Sequence, residues 1–401
     1  FQEKSLNTKF RKNFSNKFNR ILEQILIDIK NTKKTHYVLS ENYKFSFEIK
    51  KIAKFKKFKT ISIIGMGGSI LGAEAVYNLF KKKIKKKVYF FNDLNIENIL
   101  DFKKEANLNK TLFIIISKSG NTIETLSNML SLKIIKKSSK NILIISEKKN
   151  NFLFNLSRKF DLKYIEHNEN LGGRFSVLSE VGIVPSYLMG INIEQLRYNL
   201  IKYLKIKDRK FLKDNVICLA SLLMSGKKNN LIFLNYMPEL EKFLYWCQQL
   251  IAESLGKKGK GFLPIVSNVP KDHHSMLQLY LDGPKDKIYY IFSGPSTKSM
   301  KIKSSHYDKR LKFLENKDLF QIKTAQKDAL INSLRRKKIS FREIQINNLN
   351  EQTLGELFSY FILETIFVAN LTNLNPFDQP AVEQVKTDTK KTLNKLSKNY
   401  F

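Results

Sequence analysis

From Thr60 onward the chain alternates between apolar runs of strand length and longer amphipathic stretches. The short runs are Thr60–Ile64, Val88–Asn92, Thr111–Ser117, Asn141–Ser146 and Lys163–Glu166. Between them Ser69–Lys81, Ile96–Ala106, Thr122–Lys137 and Phe152–Phe160 carry helical spacing. A strand that is apolar at nearly every position has to be buried on both faces, and flanking helices supply the cover. The alternation therefore predicts an α/β fold with a parallel sheet.

A second, less regular section follows. It reads as strand Leu231–Tyr236, helix Glu239–Leu255, strand Ile288–Ser293, helix Thr324–Lys337, strand Ser340–Ile346 and a long helix Gln352–Leu371. Near the start, Phe18, Ile21, Leu22, Ile25 and Leu26 recur at helical spacing. The expected organisation is a helical segment 1–45, a first α/β domain 46–190, a helical bridge 191–215, a second α/β domain 216–347 and C-terminal helices 348–401. A length of 401 residues suits two such domains. No repeat of 20–50 residues is visible.

Composition excludes several classes. The two cysteines, Cys218 and Cys247, lie in apolar helix-like stretches and read as small buried hydrophobes in a reducing compartment, not as a disulfide scaffold. No run approaches the ~18 apolar residues of a membrane helix. Phe1-Gln-Glu-Lys-Ser lacks the apolar core of a signal peptide and an initiator Met; the expectation is a trimmed chain or a fragment, of a soluble cytoplasmic protein with no membrane partner. Lys and Arg outnumber Asp and Glu by 71 to 36, a net charge of +35. Such a balance suits polyanions. Here, however, Lys is spread along the whole chain and Asn, Ile and Phe are also abundant, a pattern of AT-rich coding. No nucleic-acid partner is expected, and Lys81–Lys87 reads as a solvated helix end and turn.

In open α/β sheets ligands sit outside the carboxyl ends of strands. Gly65-Met-Gly-Gly-Ser69 follows the first strand and exposes backbone N–H groups where a helix begins; it suits an anion or a simple tight turn. A dinucleotide fingerprint fails because Ile70 takes the last glycine place, with Asp93 the one feature in its favour. Ser117-Lys-Ser-Gly-Asn-Thr122 gathers three hydroxyls at a helix start. Capping accounts for one of them, and a phosphate held as a handle accounts for all three. Gly172-Gly-Arg174 allows close approach to Arg174. Gln249 and Glu253 share a helix face at i, i+4. His273 and His274 sit in a polar loop between Pro270 and Gly283, and no further ligands at metal spacing accompany them. Asn375-Pro-Phe-Asp-Gln379-Pro is a rigid turn before a short helix bearing Lys386.

Together these segments resemble the glucose-6-phosphate isomerase family. The similarity runs in family order from about Ile61 to Lys386: the Gly-Gly-Ser loop, Ser-Lys-Ser-Gly-Asn-Thr-x-Glu-Thr, Gly-Gly-Arg-aromatic-Ser, Gln-x-x-x-Glu-Ser-x-Gly-Lys, Asp-x-His-Ser-x-x-Gln and Asn-Pro-Phe-Asp-Gln-Pro-x-Val-Glu-x-x-Lys. Met66, Phe175 and His273 depart from the usual family residues, so His274 is the histidine that matches.

The resemblance implies two sugar-isomerase lobes, each a parallel sheet flanked by helices, with helical terminal segments. It implies interconversion of glucose 6-phosphate and fructose 6-phosphate without metal or cofactor, in a cytoplasmic homodimer. Carried over residue by residue, Glu253 is the base that moves a proton between C2 and C1. Arg174 stabilises the enediolate, and His274, supplied by the neighbouring subunit, opens the sugar ring with Lys386. Gly68, Ser69, Ser117, Lys118, Ser119, Thr122, Gln249 and Gln379 bind the substrate. Mannose 6-phosphate is a possible further substrate. A non-catalytic sugar-phosphate sensor is the alternative; it would need no Glu253, His274 or Lys386.

Overall fold

The computed structural model describes residues 8–295, 298–304 and 307–398. Its strands form two parallel sheets. The first contains β1 (Thr60–Ile64), β2 (Lys87–Phe91), β3 (Thr111–Ile116), β4 (Ile142–Ser146) and β5 (Lys163–Glu166), in the order β2-β1-β3-β4-β5. The second contains β6 (Asn230–Asn235), β7 (Leu263–Asn268), β8 (Lys287–Ser293) and β9 (Phe341–Gln345), in the order β7-β6-β8-β9. β3, Thr-Leu-Phe-Ile-Ile-Ile, is central and buried at every position. β2 lies at an edge and is buried only at Phe91.

β7 is absent from the sequence reading. It pairs with β6 alone, Leu263 is exposed and Pro264 interrupts its donor pattern. An edge strand needs no two-sided apolar run and tolerates proline, so it leaves little composition to read. Each sheet changes winding direction at its centre, between β1 and β3 in the first and between β6 and β8 in the second. Such switch points are where crevices open in α/β sheets.

The Glu351–Leu371 helix is long and apolar enough to cross a membrane by length and composition, but it packs against the Ile206–Ser225 and Glu241–Leu255 helices and is buried along most of its length. It carries Glu364, which receives Arg342 Nη1 at 2.5 Å and the Tyr360 hydroxyl at 2.7 Å. Arg342 also stacks over Tyr290, 3.9 Å from the ring centroid. Both charges are nearly inaccessible, so each depends on the other. Arg342→Leu is expected to cost about 3–5 kcal/mol in urea unfolding, because it strands the Glu364 carboxylate. The double variant with Glu364→Leu should recover much of that loss; no recovery would show that the pair is not the source.

Two buried histidines shape the acid response. Burial holds His36 and His167 down at about 4, against a usual 6.5; nearby Asp28 only partly opposes this for His36, and the Asn168 carbonyl does so for His167. Below pH 6.5 the unfolded chain takes up protons that the folded chain refuses. Stability is therefore expected to fall as pH drops from 6.5 towards 4, by about 3 kcal/mol per histidine. Denaturant midpoints from pH 7.5 to 4.5, for the wild type and for His36→Gln with His167→Gln, check this; an equal slope in both refutes it.

Candidate active site

The site lies beyond the carboxyl ends of β1 and β3. Gly67-Gly-Ser69 forms a tight turn after β1. Gly68 rests on Gly173 so closely that a Cβ there would fall 2.1 Å from the Gly173 carbonyl carbon, and Gly67 is left-handed at φ 51° beneath the Gln249 amide. Only glycine lets these two loops touch. That contact positions Arg174, which is 2% exposed in the Gly173–Leu178 turn.

The guanidinium of Arg174 is fully used. Nε donates to Ser254 Oγ at 2.8 Å, Nη1 to Glu253 Oε2 at 2.9 Å and to Gln379 Oε1 at 2.7 Å, and Nη2 to the carbonyls of Pro376 at 2.5 Å and Asp378 at 3.0 Å. Burial lowers its pKa, with Glu253 the main opposing influence. A guanidinium still remains charged under these conditions. Glu253 and Gln249 stand one turn apart on the Glu241–Leu255 helix, and Gln249 Nε2 donates to Glu253 Oε1 at 2.9 Å. Glu253 is 30% exposed at its side chain, so it remains open to a ligand. The Gln249 Oε1 is buried without a partner among the described residues, an acceptor suited to a hydroxyl.

The sequence reading assigned no role to the residues that hold the Asn375–Gln379 turn. Lys257 Nζ reaches the Asn375 carbonyl, the Asp378 carbonyl at 2.6 Å and Asp378 Oδ1 at 2.5 Å. This ammonium holds the Asp378 carboxyl below the usual carboxylate range. Phe377 packs between His36 and Phe175, with centroids at 5.3 and 5.4 Å. Lys257, Ser254 and Asp378 all lie within the two motifs quoted above, which was the available signal.

In the second loop, Ser117 Oγ and Thr122 Oγ1 share a hydrogen bond of 2.8 Å, and Ser119 Oγ accepts from the Asn121 amide at 3.3 Å. Thr122 occupies the cap position of the Ile123–Leu132 helix but makes no side-chain cap bond. Lys118 does not join the hydroxyls; its Nζ donates to the Glu169 carbonyl at 3.0 Å and lies 3.5 Å from Glu147.

Two expected residues make no bond to the Arg174–Glu253 cluster within one chain. His274 is not in a loop: it is an exposed residue in the first turn of the His273–Asp282 helix. Met276, Leu277 and Tyr280 give that helix an inward face, which the polar start of the segment concealed. His273 Nε2 meets the Tyr236 hydroxyl at 3.0 Å, while His274 makes no bond to Glu253, Gln249 or Arg174. Lys386 sits on the exposed Ala381–Lys398 helix and pairs with Glu383 at 2.7 Å. Among the described residues no group of three or more His, Cys, Asp or Glu side chains is placed to hold a metal ion.

The family model for phosphoglucose isomerase matches residues 17–262, more than half of the chain. The chain belongs to the phosphoglucose isomerase family. A probable glucose-6-phosphate isomerase of Methanococcus maripaludis is 32% identical over 368 residues, covering 87% of this chain and 81% of the relative. A glucose-6-phosphate isomerase of Methanocaldococcus jannaschii is 31% identical over 342 residues, covering 82% and 83%. The fold is that of solved sugar-isomerase structures. A glucose-6-phosphate isomerase from Chlamydia trachomatis superposes with a TM-score of 0.71 at 17% identity, over 87% of this chain and 72% of that one. A hypothetical protein from Thermus thermophilus gives 0.80 at 24%, over 97% and 99%. The part matched to the phosphoglucose isomerase family holds Arg174, Gln249, Glu253 and both loops; His274, Gln379 and Lys386 lie after it.

Proposed function

We propose that this chain interconverts glucose 6-phosphate and fructose 6-phosphate by proton transfer through an enediol. The observation that carries the mechanism is the Arg174–Glu253–Gln249 arrangement: a half-open carboxylate beside a buried, immobile guanidinium. Glu253 takes the proton from C2 of the open-chain aldose and delivers it to C1, while the hydroxyl proton passes from O2 to O1. One carboxylate that both accepts and returns the proton suffices, and such catalysis contributes about 10²–10⁴-fold. Negative charge develops on the enediolate oxygens as C–H breaks, and Arg174, already oriented by five bonds, meets it without reorganising. Ser117, Ser119 and Thr122, with the backbone of Gly68 and Ser69, hold the phosphate dianion, and Gln249 and Gln379 orient sugar hydroxyls. A coupled assay that converts fructose 6-phosphate to glucose 6-phosphate tests the assignment, and no turnover by pure, folded protein overturns it.

The working unit in this proposal is a cytoplasmic homodimer. His274, exposed and not bonded to Glu253 in its own chain, enters the partner's site and moves the proton that opens the sugar ring. Lys386 assists it. Glu253→Gln and His274→Ala, each inactive alone, are expected to regain about a quarter of wild-type activity when refolded together. Half of randomly paired dimers are mixed, and each mixed dimer has one intact site. Confirmed mixed dimers without activity would place His274 in its own chain's site.

A further inference from the structure

The second sheet repeats the central winding of the first. β6 and β8 adjoin, with β7 on one side and β9 on the other. The rule that places a ligand beyond β1 and β3 therefore also applies beyond β6 and β8. A cleft of about 350 Å3 opens there, within the size range of small-molecule sites. The isomerase mechanism uses no residue of its lining.

The walls of the cleft carry unspent polar chemistry. Ser293, at the end of β8, is 9% exposed, and its hydroxyl has no hydrogen-bond partner among the described residues. Ser117 stands in the corresponding place just after β3, and the proposed phosphate loop begins there. A buried hydroxyl left unpaired is destabilising, and a ligand acceptor removes that cost. Phe320, Lys323, Thr324 and Lys327 line one side of the cleft at i, i+3, i+4 and i+7 on the Leu319–Arg336 helix.

Lys327 is already matched by Glu343 at 2.6 Å and Asp328 at 3.4 Å. Lys323 has no ion-pair partner among the described residues. The Thr324 hydroxyl donates to the Phe320 carbonyl at 2.9 Å, leaving its oxygen as an acceptor. The Tyr236 hydroxyl is engaged by His273, so Tyr236 acts as a wall. The site thus offers one uncompensated cation, one buried donor, an acceptor and an aromatic surface.

We propose that this cleft is a second binding site, specific for a small phosphorylated metabolite and separate from the Arg174–Glu253 site. Lys323 and the Ser293 hydroxyl take the phosphate, and the carbon chain lies along Phe320 and Thr324. The proposal does not depend on the isomerase assignment.

Equilibrium dialysis of the full chain against labelled glycerol 3-phosphate tests it. Wild type should bind two equivalents per chain. Lys323→Glu should weaken one of them at least tenfold, and Ser293→Val should do the same in part. Ser119→Glu should remove the other, and Lys323→Glu with Ser119→Glu should bind none. Lys323 lies on a partly exposed helix face, so its substitution should leave the melting curve unchanged. Failure to bind, a single equivalent abolished by Ser119→Glu, or two equivalents retained in Lys323→Glu would each overturn the second site. If Lys323→Glu loses one equivalent while Ser119→Glu keeps both, the cleft stands and the phosphate assignment of the first loop falls.

Discussion

Glu253→Gln is expected to lower kcat by about 10²–10⁴-fold while leaving sugar-phosphate affinity within a few-fold of wild type. The amide reproduces the shape of the carboxylate and can still accept the Arg174 Nη1 bond that now measures 2.9 Å. It cannot take a proton from carbon. Arg174 loses its counter-charge, but it keeps oxygen acceptors on Gln379, Pro376 and Asp378, so the turn should stay in place. Steady-state rates from the coupled assay and affinities from calorimetry check the result together. Turnover within tenfold of wild type would remove Glu253 from the role of base.

Arg174→Ala should be nearly as damaging, and in a different way. Loss of a fixed positive charge beside the developing enediolate costs about 10²–10³-fold in kcat. The same change leaves the carbonyls of Pro376 and Asp378 without their guanidinium donor, at about 1–3 kcal/mol for each group that stays buried. Melting temperature should therefore fall along with kcat. Arg174→Lys keeps a positive charge but cannot span five acceptors on two segments, so it should restore little. The informative readout is chemical rescue: added guanidinium ion should return part of kcat to the alanine variant. A variant that melts early yet keeps wild-type kcat would make Arg174 a structural residue only.

The first sheet was readable because burial on two faces has to be written into consecutive residues. β1 and β5 begin and end where the apolar pattern does, and β3 and β4 differ from it by one residue at an end. Gln249 and Glu253 were likewise readable as neighbours, because a helix turns i and i+4 to the same side. β7 was not, since an edge strand with Pro264 carries no such pattern. The His273–Asp282 helix was also hidden. Its apolar residues come only after the first turn, and Asp272, which precedes it, spends its carboxylate on Ser267 and the Asn268 amide instead of capping the helix.

Local periodicity and motif order by themselves determined the fold class, the sequence of most elements and the family. Only the tertiary structure decided which charges meet. Arg174 and Glu253 lie 79 positions apart and Lys257 and Asp378 lie 121 apart; nothing within a few residues of any of them specifies its partner. They are brought together by the close seating of Gly68 on Gly173 and by Phe377 wedged between His36 and Phe175. The same holds for the separations. His274 makes no bond to Glu253 and Lys386 stays on an exposed helix, because where a side chain arrives depends on how whole faces pack, and a short stretch of sequence records only its own face.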